Sequence, residues 1–269
     1  MKNSFTLALP ALKRLHRADD PNRYVDVDGV RVRYVEEGAD NGGPPVLLLH
    51  GYNGSCDYWY PHGLPELARE RHMLAIDLPG NGLSGKLAEC SLDSYVSFMV
   101  AFMDTLGIPI ADIMGHSMGG QVAIAAAARH PERFRKLVLV DSAGLPELIG
   151  SQWVAPLKML TDSSLRHVRM YPTFIKIGMR ARVAREGLRI LRLQSIRREL
   201  KALSLPTLVL WGSRDRVVPL EHGAFMAKHI PGARLVVVRG AGHMPFYEKP
   251  EECARVVLAF LREDVKRNA

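Results

Sequence analysis

Apolar and polar positions alternate over residues 24–28 and again over 30–35, with Gly29 between the two stretches. That pattern predicts a hairpin with one face on a core. Further along, the alternation gives way to short continuous apolar runs at 45–49, 72–76, 110–114, 136–140, 207–211 and 234–238, the mark of strands buried on both faces. Between these runs the period is helical. Residues 92–106 place Tyr95, Phe98, Met99, Phe102 and Met103 at three- and four-residue spacing, and 117–129 is Ala-rich and apolar nearly all round, so a buried helix is expected there. Residues 221–229 and 251–262 complete the set. Strands alternating with helices imply an α/β fold with a mostly parallel sheet covered on both faces. Residues 146–203 break the rhythm: they are basic, helical in pattern and without a strand-like run. The expected organisation is an N-terminal extension (1–22), a core built from 23–145 and 206–269, and a helical insertion (146–205).

The chemistry is concentrated where strands end. Residues 115–119 read GHSMG, a G-x-S-x-G motif that follows one strand-like run and opens the Ala-rich helix. A serine at so sharp a turn needs small neighbours, because the backbone is crowded there. Its hydroxyl is a poor nucleophile without a base, and the base needs an acid to orient it. Downstream, GSRDRVVP (212–219) puts Asp215 in a loop at a strand's carboxyl end, and GAGHMP (240–245) puts His243 in a corresponding loop. Ser117, Asp215 and His243 are thus expected at one edge of a parallel sheet, where such folds place their sites. Asp141, at the end of another strand run, is the rival acid. An oxyanion requires amide donors. The turn supplies Met118 N–H, and the loop HGYNGS (50–55) offers Tyr52 N–H, with Gly51 letting the backbone come close.

These residues, with DLPGNGLS at 77–84 and the Gly242–His243 pair, resemble the α/β-hydrolase superfamily, over about two thirds of the chain. The resemblance implies an eight-stranded, mainly parallel sheet, a Ser-Asp-His triad of Ser117, Asp215 and His243, and a helical cap after the sixth strand, where 146–205 falls. A serine at 117 argues against the superfamily's epoxide hydrolases and dehalogenases, which use a carboxylate there. The HGYNGS loop followed by Asp57 and Trp59 is most similar to bacterial esterases and lipases. His50, Gly51, Asn53 and His116 are then expected beside the substrate. The reaction this implies is carboxylic-ester hydrolysis through an acyl-enzyme on Ser117, without metal or organic cofactor. The alternative is C–C bond hydrolysis of the aromatic-degradation type, or lactone opening or perhydrolysis, by the same residues. A non-catalytic protein on this fold is a third reading, and the intact Ser, Asp and His count against it.

Composition narrows the partners. At 269 residues, 47% hydrophobic and 24% charged, the chain is too apolar for disorder. Cys56, Cys90 and Cys253 are too few and scattered for a disulfide scaffold or zinc cage and read as reduced thiols of a cytoplasmic protein. No apolar run is long enough to cross a membrane. At the start, Pro10 interrupts the apolar stretch and no small-x-small site follows, so a secretory signal is not expected. The net charge is +8, and residues 146–205 alone hold twelve Lys/Arg against four Asp/Glu, leaving the remainder neutral. A neutral body with one basic insertion points to a local surface task, not to nucleic acid. Arg182, Arg185, Arg189 and Arg192 would form one helical stripe beside apolar residues from Phe174 to Leu193. The plain expectation is a solvated cap face; the sharper one is a cap resting on an anionic membrane, aided by Phe5, Leu7, Leu9 and Leu12.

Overall fold

The expected hairpin forms β1 (Asn22–Val27) and β2 (Val30–Glu37), paired antiparallel with Val27 opposite Val30. The turn closes through Gly29 N–H donating to Asp26 Oδ1 at 2.8 Å. The continuous apolar runs become β3 (Val46–Leu49), β4 (Met73–Ile76), β5 (Ala111–His116), β6 (Phe134–Val140), β7 (Thr207–Gly212) and β8 (Arg234–Val238). They assemble in the order β1-β2-β4-β3-β5-β6-β7-β8, parallel throughout except at β1–β2 and β2–β4. This computed structural model describes residues 21–60, 63–149 and 181–264.

The strands alternate between two cores. Leu47 and Leu49 pack with α2 (Leu92–Thr105), α3 (Met118–Arg129) and, further along the sheet, α7 (Leu220–His229). Val46 and Leu48 face the other layer, α1 (Leu64–Ala68) and α9 (Pro250–Arg262). Both faces are therefore dry, which is why the strands read as unbroken apolar runs. Ser91 and Ser94 fix the start of α2 reciprocally: Ser91 Oγ accepts Ser94 N–H at 3.1 Å and Ser94 Oγ accepts Ser91 N–H at 2.8 Å. The turn Cys56–Tyr58, α1 and α8 (Pro245–Glu248) are too short to show a helical period in sequence.

The insertion leaves after β6 as α4 (Pro146–Ile149) and returns to β7 through α5 (Ala181–Leu193) and α6 (Arg197–Ala202). Phe174, Ile175, Ile177, Met179, the side chains of Arg182, Val183 and Arg192, and the stretch containing Phe5 to Leu12 lie outside the described residues. At the other boundary, β1 begins at Asn22, the last residue of the expected extension.

A polar clamp ties α9 to the sheet at the edge opposite the strands' carboxyl ends. Asp112 is buried and accepts from Arg71 at 2.8 Å and from Arg135 in a two-pronged contact at 2.9 and 2.6 Å. Arg71 also donates to Leu261 O at 3.1 Å, and Lys136 Nζ donates to Phe260 O and Leu261 O at 2.8 and 3.0 Å. Those are carbonyls of the last turn of α9, which lack the usual helical amide four residues on; Phe260 O also accepts the Glu263 N–H at 3.3 Å. Burial holds the Lys136 amine below its ordinary range. Asp112→Ala leaves two guanidinium groups facing each other without their shared anion. The expected loss is about 3–5 kcal/mol of unfolding free energy, read by urea denaturation.

Candidate active site

β5 ends at His116, and the chain reverses into α3 within one residue. That residue, Ser117, has φ 52° and ψ −118°, a conformation side chains rarely adopt. The turn closes only because its flanks are glycine. A Cβ on Gly115 would sit 2.3 Å from Gly119 O, and one on Gly119 would sit 2.4 Å from Leu49 O. Ser117 N–H donates to Val140 O at 3.0 Å, and its carbonyl accepts from Gly120, Gln121 and Ala143. The serine is thereby bolted between β6, α3 and the loop after β6.

The loops after β7 and β8 bring Asp215 and His243 to it. His243 Nδ1 lies 2.7 Å from Asp215 Oδ2, and His243 Nε2 lies 3.2 Å from Ser117 Oγ. All three side chains are buried. Asp215 Oδ1 accepts Val217 N–H and Val218 N–H at 2.8 and 2.9 Å, which fixes the carboxylate. An ionised carboxylate only accepts, so Nδ1 carries the proton and Nε2 is left to accept from the serine hydroxyl. The arrangement can take a proton from Ser117 and stabilise the imidazolium that results. Glu248 holds the His243 loop by accepting Gly242 N–H at 3.0 Å and Met244 N–H at 3.3 Å. Sequence reasoning missed it.

Met118 is the first residue of α3, where helix N–H groups lack intrahelical acceptors. Tyr52 lies in the loop after β3, and Gly51 beside it approaches so closely that a Cβ there would be 3.1 Å from Ser117 Cβ. Asn53 has φ 56° in this loop, a turn conformation that asparagine tolerates. Two of the residues expected beside the substrate have protein partners. His50 is wholly buried; its Nδ1–H donates to Gly51 O at 2.8 Å while Nε2 accepts Leu78 N–H at 3.0 Å. It joins the Tyr52 loop to the loop after β4. His116 is also buried: its Nε2–H donates to His243 O at 2.7 Å, and its ring stacks on Tyr58 with centroids 4.3 Å apart. A residue preceding an elbow serine points behind the turn, and the motif alone does not show that.

The Tyr52 loop is further tied down by a charge network whose centre sequence reasoning missed. Arg33, on β2, donates to Asp57 Oδ1 at 2.8 Å and Asp77 Oδ2 at 3.3 Å. Asp77 Oδ1 accepts Cys56 N–H at 2.6 Å and Oδ2 accepts Leu83 N–H at 2.7 Å. Arg33 carried no signal, since arginine on a hairpin strand reads as a solvated residue. Burial drives the Cys56 and Cys253 thiols upward, away from thiolate reactivity.

The rival acid is close but engaged elsewhere. Asp141, strained at φ 43°, accepts Gly212 N–H through Oδ1 at 2.8 Å, while Oδ2 has no hydrogen-bond partner among the described residues. Burial, reinforced by neighbouring Asp215, pushes its carboxyl well above the usual range. Burial pushes the His116 imidazole well below its usual range and lowers that of His50, so both are neutral. His116, Asp141 and His243 bring ligand-type atoms within 4.8 Å of one another. Both His243 nitrogens and His116 Nε2 are already engaged, which makes this a hydrogen-bonded group more than an open coordination sphere.

Comparison with known proteins agrees with this arrangement of fold. A family model described as "Alpha/beta hydrolase family" matches residues 46–256. The chain is 34% identical over 260 residues to a dihydrolipoyllysine-residue acetyltransferase component of an acetoin cleaving system from Pseudomonas putida, covering 88% of this chain and 68% of that protein. It spans about two thirds of the length of such components. It is 31% identical over 274 residues to 2-hydroxymuconate semialdehyde hydrolase from Pseudomonas sp. (strain CF600), covering 90% and 94%. Among solved structures, a membrane phospholipase A superposes with a TM-score of 0.72 at 29% identity, over 89% of this chain and 85% of that one.

The two acids give opposite expectations. Asp215→Asn lowers kcat by about three to four orders of magnitude, because an amide favours the wrong His243 tautomer, whereas Asp141→Asn stays within about tenfold of the parent. A more damaging Asp141→Asn would transfer the role to Asp141.

Stability separates them too. Above 3.8, the ordinary Asp value, the folded chain retains a proton on Asp141 that the unfolded chain releases, so stability falls as pH rises. Asp141→Asn therefore raises the melting temperature at pH 8, and the gain shrinks toward pH 4. The decline below the ordinary His value of 6.5, where the unfolded chain takes up protons that buried His50 and His116 refuse, persists in the variant.

Proposed function

The chain belongs to the alpha/beta hydrolase family, and from that premise we propose that it is a carboxylic-ester hydrolase working through an acyl-enzyme on Ser117. The observation carrying this reading is the unbroken relay from Ser117 Oγ to His243 Nε2 at 3.2 Å and from His243 Nδ1 to Asp215 Oδ2 at 2.7 Å. Ser117 Oγ attacks the ester carbonyl as His243 takes its proton, and Asp215 stabilises the imidazolium. The tetrahedral oxyanion is met by the Tyr52 and Met118 amides. Collapse breaks the bond to the alcohol oxygen, which leaves with the proton from His243. Water, deprotonated in turn by His243, attacks the acyl carbonyl and releases the acid with Ser117 restored. Every step uses protein groups and water alone.

A second reading has its own support. The similarity to 2-hydroxymuconate semialdehyde hydrolase extends over 94% of that protein and favours C–C bond hydrolysis by the same relay. The same elbow, cap and relay would serve either bond, so the leaving group must be tested directly. A panel of p-nitrophenyl esters set against dienol-type diketones decides: faster turnover of the diketones overturns the ester reading.

Ser117→Ala is expected to fold normally and to lose p-nitrophenyl butyrate hydrolysis and labelling by a fluorophosphonate probe. Retention of more than about a tenth of kcat excludes Ser117 as the nucleophile.

A further inference from the structure

We propose that the sheet edge carrying the relay docks on an anionic lipid surface through the outer side of α5, so that substrate enters from that surface. The substrate half rests on the ester-hydrolase reading; the docking half does not.

Three observations converge. First, the chain's whole positive surplus resides in 146–205, twelve Lys/Arg against four Asp/Glu, while the rest is neutral. Second, five large apolar side chains are exposed among the described residues, and four are on segments that belong to the site's edge: Tyr60 after β3, Leu83 after β4, Leu148 after β6 and Leu193 at the end of α5. Chance would scatter them over both ends of the sheet.

Third, α5 lies directly on the site. A Cβ on Gly187 would come within 3.0 Å of the Tyr52 ring and 3.6 Å of Met118 Sδ, so the helix backbone touches both residues whose amides face the oxyanion. Gln121 Nε2 holds it there by donating to Gln194 O at 2.5 Å. Ile190 and Leu191 are buried beneath the helix, while Arg185 and Arg189, one turn apart, are exposed. Leu193 is 70% exposed at the same end. The inner side of α5 therefore rests on the machinery while arginine and leucine stand on its outer side.

Basic side chains interspersed with exposed leucines suit an anionic leaflet, where arginine meets headgroup phosphate and leucine reaches the acyl boundary. A nucleic acid offers the charge without an apolar layer, and an acidic soluble protein has no need of leucines spread over three separate segments. No helix among the described residues is long and apolar enough to cross a membrane, so attachment through this face would be peripheral.

The test is co-sedimentation of the full chain with phosphatidylglycerol/phosphatidylcholine vesicles and with pure phosphatidylcholine vesicles, at low and high salt. Binding to the anionic vesicles is expected, at least tenfold weaker in ~0.5 M salt and in the Arg185→Glu/Arg189→Glu double variant. Hydrolysis of soluble p-nitrophenyl butyrate stays unchanged in that variant. If it does not, Leu193→Asp, which leaves both arginines in place, is read instead and must also weaken sedimentation. Negligible binding, equal binding to both vesicles, or binding indifferent to these substitutions overturns the proposal, as does capture by acidic proteins without vesicle binding. Sedimentation needs no turnover. A Ser117→Ala chain that still sediments keeps the docking intact whatever becomes of the ester reading.

Discussion

The site depends on one strained residue. Ser117 occupies a backbone conformation that costs on the order of 1–3 kcal/mol for a residue with a side chain. It persists because five polar contacts would break together if it relaxed: its amide to Val140, its carbonyl to Gly120, Gln121 and Ala143, and its hydroxyl to His243. The strain lifts Oγ out of the strand and points the start of α3 at the same spot. A serine hydroxyl and an N–H-rich helix start thus converge on a single point.

Every other part of the edge is held relative to that point by polar groups bonded to protein. His116 fixes the backbone of His243 from behind, Glu248 grips the two amides flanking it, and Val217 and Val218 lock Asp215. On the other side, His50 and the Arg33–Asp57–Asp77 network secure the Tyr52 loop to β2 and to the loop after β4. These contacts are buried or partly buried, where a hydrogen bond is stronger and an unmade one costlier. Positions are therefore set before substrate arrives, and little reorganisation remains for the chemical step.

The sheet was legible in the chain because two dry faces leave a plain signature. All eight strands lie where alternation or continuous apolar runs announced them, and α2, α3, α7 and α9 begin within a residue of the predicted starts. The relay was legible for a different reason: Ser117, Asp215 and His243 each stand just past a readable strand, so topology alone brings them to one edge. The supporting shell was not. His50 and His116 are polar residues next to reactive ones, and sequence proximity suggests substrate contact. Their protein partners, Gly51 O and Leu78 N–H for His50 and His243 O for His116, follow from burial and orientation, and neither has a period. Arg33 shows the same limit in reverse, because its two carboxylates, at 57 and 77, are far away in the chain. Between Asp141 and Asp215, position at a strand end alone did not choose, and the structure joins Asp215 to His243 while Asp141 accepts from Gly212.

What stands over the relay is held by the same scaffold as the relay itself. The nearest described roof is α5, whose approach is limited by Gly187 against Tyr52 and Met118 and whose position is set by Gln121, a residue of the elbow helix. Roof and nucleophile therefore hang from the same helix, α3. A shift of α5 would pull on Gln121, one turn from Ser117. The placement of the insertion and the geometry of Ser117 are thereby mechanically linked through α3, so neither can move far without the other.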